Sequence, residues 1–189
     1  MRSPPTFFKT GPALLWLFLW LAGNGLAAGA EPAASNEYQV KAAFVYNFLK
    51  FVEWPAGQFA ETNSPIVIGV AGKGAMGAEL EAAVSGRRIN GRELVVRTVD
   101  SPPAAQGTHV LFVGLGEDQR AEEWLRQPKG GGTLTVGESE VFGKRGGMIT
   151  FWHEGDKRRF SIDVAAASQA GLKISAQLQK LARGARSRG

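Results

Sequence analysis

The sequence predicts an α/β domain: a mixed central sheet with helices on both faces, ending in a β-hairpin followed by short helices. Three observations predict it. Ile66–Ala71 and His109–Val113 are short, nearly unbroken apolar runs, the mark of strands buried on both faces. Segments of helical period alternate with these runs, which gives βαβ order. Near the C-terminus, Met148–His153 and Arg159–Val164 flank Glu154-Gly155-Asp156, a hairpin signature.

The elements follow in order. Asn36 with Gln39 resembles an N-cap and its return partner, so a helix is expected from there to about Trp54. Val40, Ala43, Phe44, Phe48, Phe51 and Val52 have helical spacing and define its apolar face. Pro55 disfavours helical geometry at Trp54 and is expected to end the helix. After the Ile66–Ala71 strand come a glycine-rich turn and a helix over about Ala75–Ser85. Arg88–Arg92 is turn-like, Leu94–Val99 is a second strand, and Ser101-Pro-Pro is a loop. His109–Val113 is the third strand, Glu117–Arg126 a charged short helix, and Thr133–Val136, after Gly130-Gly-Gly, the fourth strand. Alternation in the hairpin puts Ile149, Phe151, Phe160, Ile162 and Val164 on buried faces. Ala165–Ala170 is a short helix closed by Gly171. Ser175 caps a last helix with Leu178 and Leu181 on its inner side.

Residues 1–30 have the build of a secretory leader. Arg2 and Lys9 precede an uncharged apolar stretch, Ala13–Ala22, and Ala28-Gly29-Ala30 offers small residues for cleavage before Glu31. No later stretch is long and apolar enough for a membrane span. The expected organisation is a leader over 1–30, one domain over 36–183 and a basic tail over 184–189. The chain has no cysteine, so no disulfide or thiolate chemistry is available. Removing Arg2 and Lys9 leaves 20 basic against 17 acidic residues, a mild +3. Export argues against a nucleic-acid partner.

Several groups invite a chemical reading. Gly72-Lys73-Gly74-Ala75-Met76-Gly77 matches G-x-G-x-x-G between a strand and a helix, with Asp100 near the end of the next strand. Such glycines let backbone amides approach a pyrophosphate at a helix N-terminus. A nucleotide-binding enzyme using Gly72, Gly74, Gly77 and Asp100 is therefore one alternative; a tight turn is the plainer one. His109 and His153 are the two histidines, too few without cysteine for a good zinc set. Glu138, Glu140, Glu154 and Asp156 are loop carboxylates that read as solvated surface. Phe142–Met148 reads as a glycine-rich loop bearing two cations, Lys144 and Arg145. It suits an exposed contact loop or a simple chain reversal with Phe142 tucked beneath. Trp124 and Trp152 suit either an interface or the core. Trp152 is also a candidate pocket aromatic for a small-solute binding protein.

Val40-Lys-Ala-Ala-Phe-Val-Tyr-Asn-Phe-Leu-Lys-Phe-Val-Glu-Trp-Pro resembles the N-terminal signature of the YfiR family of periplasmic regulatory proteins. His109-Val-Leu-Phe-Val-Gly, Thr133-Leu-Thr-Val-Gly-Glu, Gly146-Gly-Met-Ile-Thr-Phe, Phe160-Ser-Ile-Asp-Val-Ala-Ala-Ala and Gly171-Leu-Lys-Ile-Ser-Ala-Gln-Leu-Gln-Lys-Leu-Ala are similar to later family blocks, in order. The resemblance implies a periplasmic protein without enzymatic activity or cofactor. Its implied role is to restrain a membrane-bound signalling protein, typically a diguanylate cyclase, and so lower cyclic-di-GMP output. Implied partners are the periplasmic domain of that inner-membrane sensor or cyclase, an outer-membrane lipoprotein, and a second copy in a homodimer. The chain departs from the family twice: it lacks the cysteine pairs that the best-understood members use for stability and redox response, which leaves redox control open, and Asp163 stands where asparagine is usual. The candidate partner-binding residues are Phe142, Lys144, Arg145 and Trp152.

Overall fold

In the computed structural model the strands assemble in the order β3-β4-β2-β5-β6-β7-β8. These are β2 (Ile66–Ala71), β3 (Arg88–Ile89), β4 (Arg92–Val99), β5 (Val110–Val113), β6 (Leu134–Gly137), β7 (Ile149–Glu154) and β8 (Lys157–Ile162). The structure describes residues 31–126, 131–155 and 157–182, with the backbone alone for 31–35. The expected leader, the basic tail, Gly130 and Asp156 lie outside the described residues.

The inner strands β4, β2, β5, β6 and β7 are parallel, in registers such as Ile68↔Val110 and Val110↔Leu134. Antiparallel partners close both edges: β3 against β4 and β8 against β7. The β3–β4 turn is Asn90-Gly91, both with positive φ (51° and 80°), as a two-residue hairpin requires. The chain passes from β2 to β4 on one side of β2 and then to β5 on its other side. The C-terminal ends of β2 and β5 therefore form a topological switch point.

Helices cover both faces. On one face Ile66, Ile68, Val70, Val110 and Phe112 meet the helices α1 (Glu31–Leu49), α2 (Met76–Val84), α5 (Val164–Gln169) and α6 (Ala176–Leu181). Phe48 of α1 lies 4.8 Å from Phe160 and 5.8 Å from Phe151, ring centre to ring centre, within the aromatic-pair range. On the other face a smaller core joins Leu111, Val113 and Val99 to Trp124 of α3 (Ala121–Leu125) and Phe142 of α4 (Glu140–Lys144).

Five expectations are corrected. The first helix runs over Glu31–Leu49, so Asn36 lies inside it and Pro55 does not end it. The Lys50 and Phe51 amides bond to the Asn47 and Phe48 carbonyls and tighten the last turn. The chain then straightens into β1 (Val52–Glu53), which pairs antiparallel with β9 (Lys173–Ile174). Tertiary strand pairing thus ends the helix before the proline can. The buried stripe of α1 is Lys41, Ala42, Val45, Phe48 and Leu49, with Ala43 exposed; a buried lysine displaces it from the expected line. The expected helix over Glu117–Arg126 is a 3-10 turn, Leu115–Arg120, followed by α3. Val164 opens α5 instead of ending the hairpin, and Leu181 of α6 is 63% exposed while Leu178 is buried.

Candidate functional site

At the C-terminal ends of the parallel strands the chain leaves β6 through Glu138 and Ser139 into α4. Residues 142–147 were expected to be a loop; they open instead as the last turn of this helix. Ser139 Oγ caps it, accepting a hydrogen bond from the Phe142 amide at 3.0 Å, and Lys144 pairs with Glu140 at 2.8 Å. Phe142 is 1% exposed and points into the smaller core. Gly137 and Gly147 leave its ring room, because a Cβ at either would fall inside it. Arg145 donates from Nη1 to the Asp118 carbonyl at 3.1 Å and faces the Glu122 carboxylate at 3.5 Å. The helix α4 is thereby fastened to the 3-10 turn and α3. Thr150 of β7 touches α4 near Gly143, and alternation puts half-buried Trp152 on that same sheet face. Lys144, Arg145 and Trp152 therefore share one side of the sheet, with Phe142 beneath them. Val141 on α4 and Leu115 at the switch point are exposed apolar side chains. Trp124 is core: it is buried, and its Nε1 donates to Glu117 at 2.8 Å.

Behind α4 lies a group that pattern reading missed. Lys41, on α1, has a side chain only 4% exposed, and Glu138 has one 2% exposed; the two form a close ion pair. Lys41 also bonds Glu37 at 2.7 Å, and Glu37 accepts from Arg158 Nη2 at 3.3 Å and lies 3.3 Å from His153 Nε2. The second Glu138 oxygen accepts from the Leu115 amide at 3.2 Å. The hydrogen bond from Lys41 holds the Glu37 carboxyl at about 2, against a smaller opposing effect of burial. Burial alone would pull Lys41 down, but hydrogen bonds to Glu138 and Glu37 raise it above the usual lysine value. Burial and the Glu138 charge push the Tyr38 phenol up. The Glu37–Lys41 spacing of four residues was legible on a helix; Glu138, 97 residues further on, was not.

The Gly72–Gly77 segment is a tight strand-to-helix turn, with φ of 105° at Gly72 and 140° at Gly74. The Glu117 and Glu138 side chains lie against Gly72 and Gly114 and fill the crevice in which a pyrophosphate would lie. Asp100 is exposed and accepts a hydrogen bond from Ser101. Among the described residues no group of three or more His, Asp or Glu could hold a metal ion, and no helix is long and apolar enough to cross a membrane.

The N-terminal ends of the strands are built differently. His109, just before β5, accepts from the Val67 amide at Nδ1 (3.1 Å), which fixes the neutral tautomer with its proton on Nε2. Nε2 is buried and closes no hydrogen bond. Burial lowers the His109 pKa, and the nearby Arg92 charge adds to this against the Gln58 carbonyl. The imidazole stacks on Phe59 at 4.4 Å and 9°, and the Arg92 guanidinium lies 3.7 Å over the same ring. Two planar groups at these distances cannot share a face, so Phe59 is sandwiched. Trp54 Nε1 donates to the His109 carbonyl at 3.2 Å. Beside this stack, between β1, β2 and the β3–β4 turn, is a cavity of about 340 Å³. Trp152 does not line it.

The model of the YfiR/HmsC-like family matches residues 38–183. No curated protein matches the chain significantly. Among solved structures, a conserved domain protein from Vibrio cholerae O1 biovar eltor is similar at 13% identity and a TM-score of 0.52, over 79% of this chain. This chain covers 60% of that protein, so the likeness is one of fold.

Proposed function

The chain belongs to the YfiR/HmsC-like family, and on that premise we propose that it is a periplasmic, non-enzymatic regulator that restrains a membrane-bound diguanylate cyclase. The observation that carries this reading is the family match across residues 38–183, nearly all of the described domain. The physics is population shift: a protein that binds one state of a membrane sensor better than another lowers the output of the other. The contact surface we assign is the outer side of α4 with its neighbours, Lys144, Arg145 and Trp152. Exposed Val141 and Leu115 supply apolar area beside the cations. Phe142 supports this surface from below. An outer-membrane lipoprotein that sequesters the protein, and a homodimer, belong to the same proposal.

The test is direct. The protein is mixed with the periplasmic domain of a membrane diguanylate cyclase from the same envelope, and complex formation and cyclic-di-GMP output are measured. A complex that lowers output, weakened several-fold by Lys144→Glu with Val141→Asp, is expected. If an affinity capture from native envelope recovers no inner-membrane protein, the reading fails.

A further inference from the structure

The cavity at the N-terminal ends of the strands lies at the opposite end of the sheet from α4, and the proposed function does not use it. Its volume, about 340 Å³, falls in the range of sites for small organic molecules, roughly 300–1,000 Å³. Trp54, the edge of the Phe59 ring and Ile66 give it apolar walls. Phe59 is held between Arg92 and His109, and Trp54 is anchored to the His109 carbonyl, so the aromatic walls are fixed before anything binds. Such preorganisation removes an ordering cost from binding.

Three polar side chains also line the cavity: Glu53, Asn90 and Arg92. Arg92 uses Nη1 for the Glu61 and Ser64 carbonyls, at 2.9 and 2.7 Å. Its Nε and Nη2 have no protein partner among the described residues. The guanidinium is therefore clamped in position with donors to offer, a geometry suited to a carboxylate. Asn90 is set at the rim by the β3–β4 turn, and its side-chain amide makes no protein hydrogen bond among the described residues. Glu53 is exposed at the rim, opposite Lys173 in the β1–β9 register.

We propose that this cavity is a binding site for a small aromatic carboxylate, its ring against Trp54 and the edge of Phe59 and its carboxylate on Arg92. The proposal goes beyond the regulatory reading and does not depend on it.

Calorimetry with naphthalene-2-carboxylate, and with the neutral alcohol and the ammonium analogue of the same ring, tests it. The carboxylate is expected to bind about tenfold more tightly than the alcohol, one charge-assisted hydrogen bond's worth. Arg92→Gln should remove that preference. Because Arg92 also braces two carbonyls, the exposed Glu53→Gln variant supplies an independent reading: loss of a like charge should tighten carboxylate binding about two- to fivefold. Quenching of tryptophan fluorescence by the ligand should disappear in Trp54→Phe and persist in Trp152→Phe. No heat of binding at millimolar ligand, equal affinity for the alcohol, tighter binding of the ammonium, or weaker carboxylate binding by Glu53→Gln would each overturn the assignment.

Discussion

At the C-terminal ends of the parallel strands, Lys41 joins Glu138 and Glu37 in a knot from which water is largely excluded. At the N-terminal ends, Arg92, Phe59 and His109 form a stack whose polar atoms are only partly engaged, beside a cavity. Both places put a cation next to aromatic and anionic groups, yet they do different work. In the first, Lys41 and both carboxylates are matched within the protein, with only the buried Nε of Arg158 closing no hydrogen bond, and the result ties α1 to the end of β6. In the second, guanidinium donors and an amide are left facing open space. A matched cluster holds a fold together, whereas an incompletely matched one can recognise something else. The contact surface proposed on α4 would need that helix firmly seated, and Glu138, one residue before the Ser139 cap, is where the seating is fixed.

The comparison breaks most readily at Lys41. Replacing Lys41 with Met keeps the stem's packing but leaves the Glu138 carboxylate buried without its cation. Losing one partner of a buried pair costs about 3–5 kcal/mol. Urea unfolding should show this as a lower midpoint at constant slope. Adding Glu138→Gln should recover more than half of the loss, because the amide oxygen can still accept from Leu115. A loss below about 1 kcal/mol for Lys41→Met would mean that the knot does not fasten α1.

Acid titration separates the two ends, and the sign is the same for both. The folded His109 has a pKa below 6.5, so under that pH the unfolded chain binds a proton that the folded chain resists. Stability at the N-terminal end is therefore lost as pH falls below about 6.5. Glu37 is ionised in the fold down to about 2, so its contribution is complete above its ordinary 4.5 and disappears between 4.5 and about 2. Hydrogen exchange against pH should open β2 and residues 55–65 first and the N-terminal half of α1 last. His109→Gln should abolish the upper window and leave the lower one. The reverse order of opening would refute this division.

These contrasts also mark what could be seen in the chain beforehand. The inner strands were legible because buried parallel strands need apolar runs, as in Ile66–Ala71, and the hairpin because its turn and alternation are local; the two-residue strands β1, β3 and β9 were not. The end of the first helix was misplaced because the β1–β9 pairing that stops it is remote in sequence, and its buried stripe because Lys41, a charged residue, occupies a core position. The helix α4 was hidden by its glycines. Gly143 and Gly147 look like loop residues, but they are small because Thr150 and the Phe142 ring leave no room for a Cβ. The cavity was invisible for another reason: its walls come from β1, the 55–65 segment, β2 and the β3–β4 turn, brought together only by the sheet.

The smallest expected effect concerns Asp163, where β8 ends: its amide still donates to the Met148 carbonyl while its side chain caps α5. Its Oδ1 accepts from the Ala166 amide at 2.9 Å, and its backbone is extended as a cap requires. Aspartate and asparagine cap helices almost equally well, because both present an oxygen at the same reach. Asp163→Asn should therefore change stability by no more than a few tenths of a kcal/mol, while Asp163→Ala, which leaves the Ala166 amide without that acceptor, should cost about 1 kcal/mol. Thermal unfolding of the pair checks this at the end of the sheet where β8 hands over to α5, away from both the knot and the cavity. A loss in Asp163→Asn as large as in Asp163→Ala would mean that the charge, and not the cap, is what the position supplies. The departure from the family's asparagine would then be a functional change instead of a conservative one.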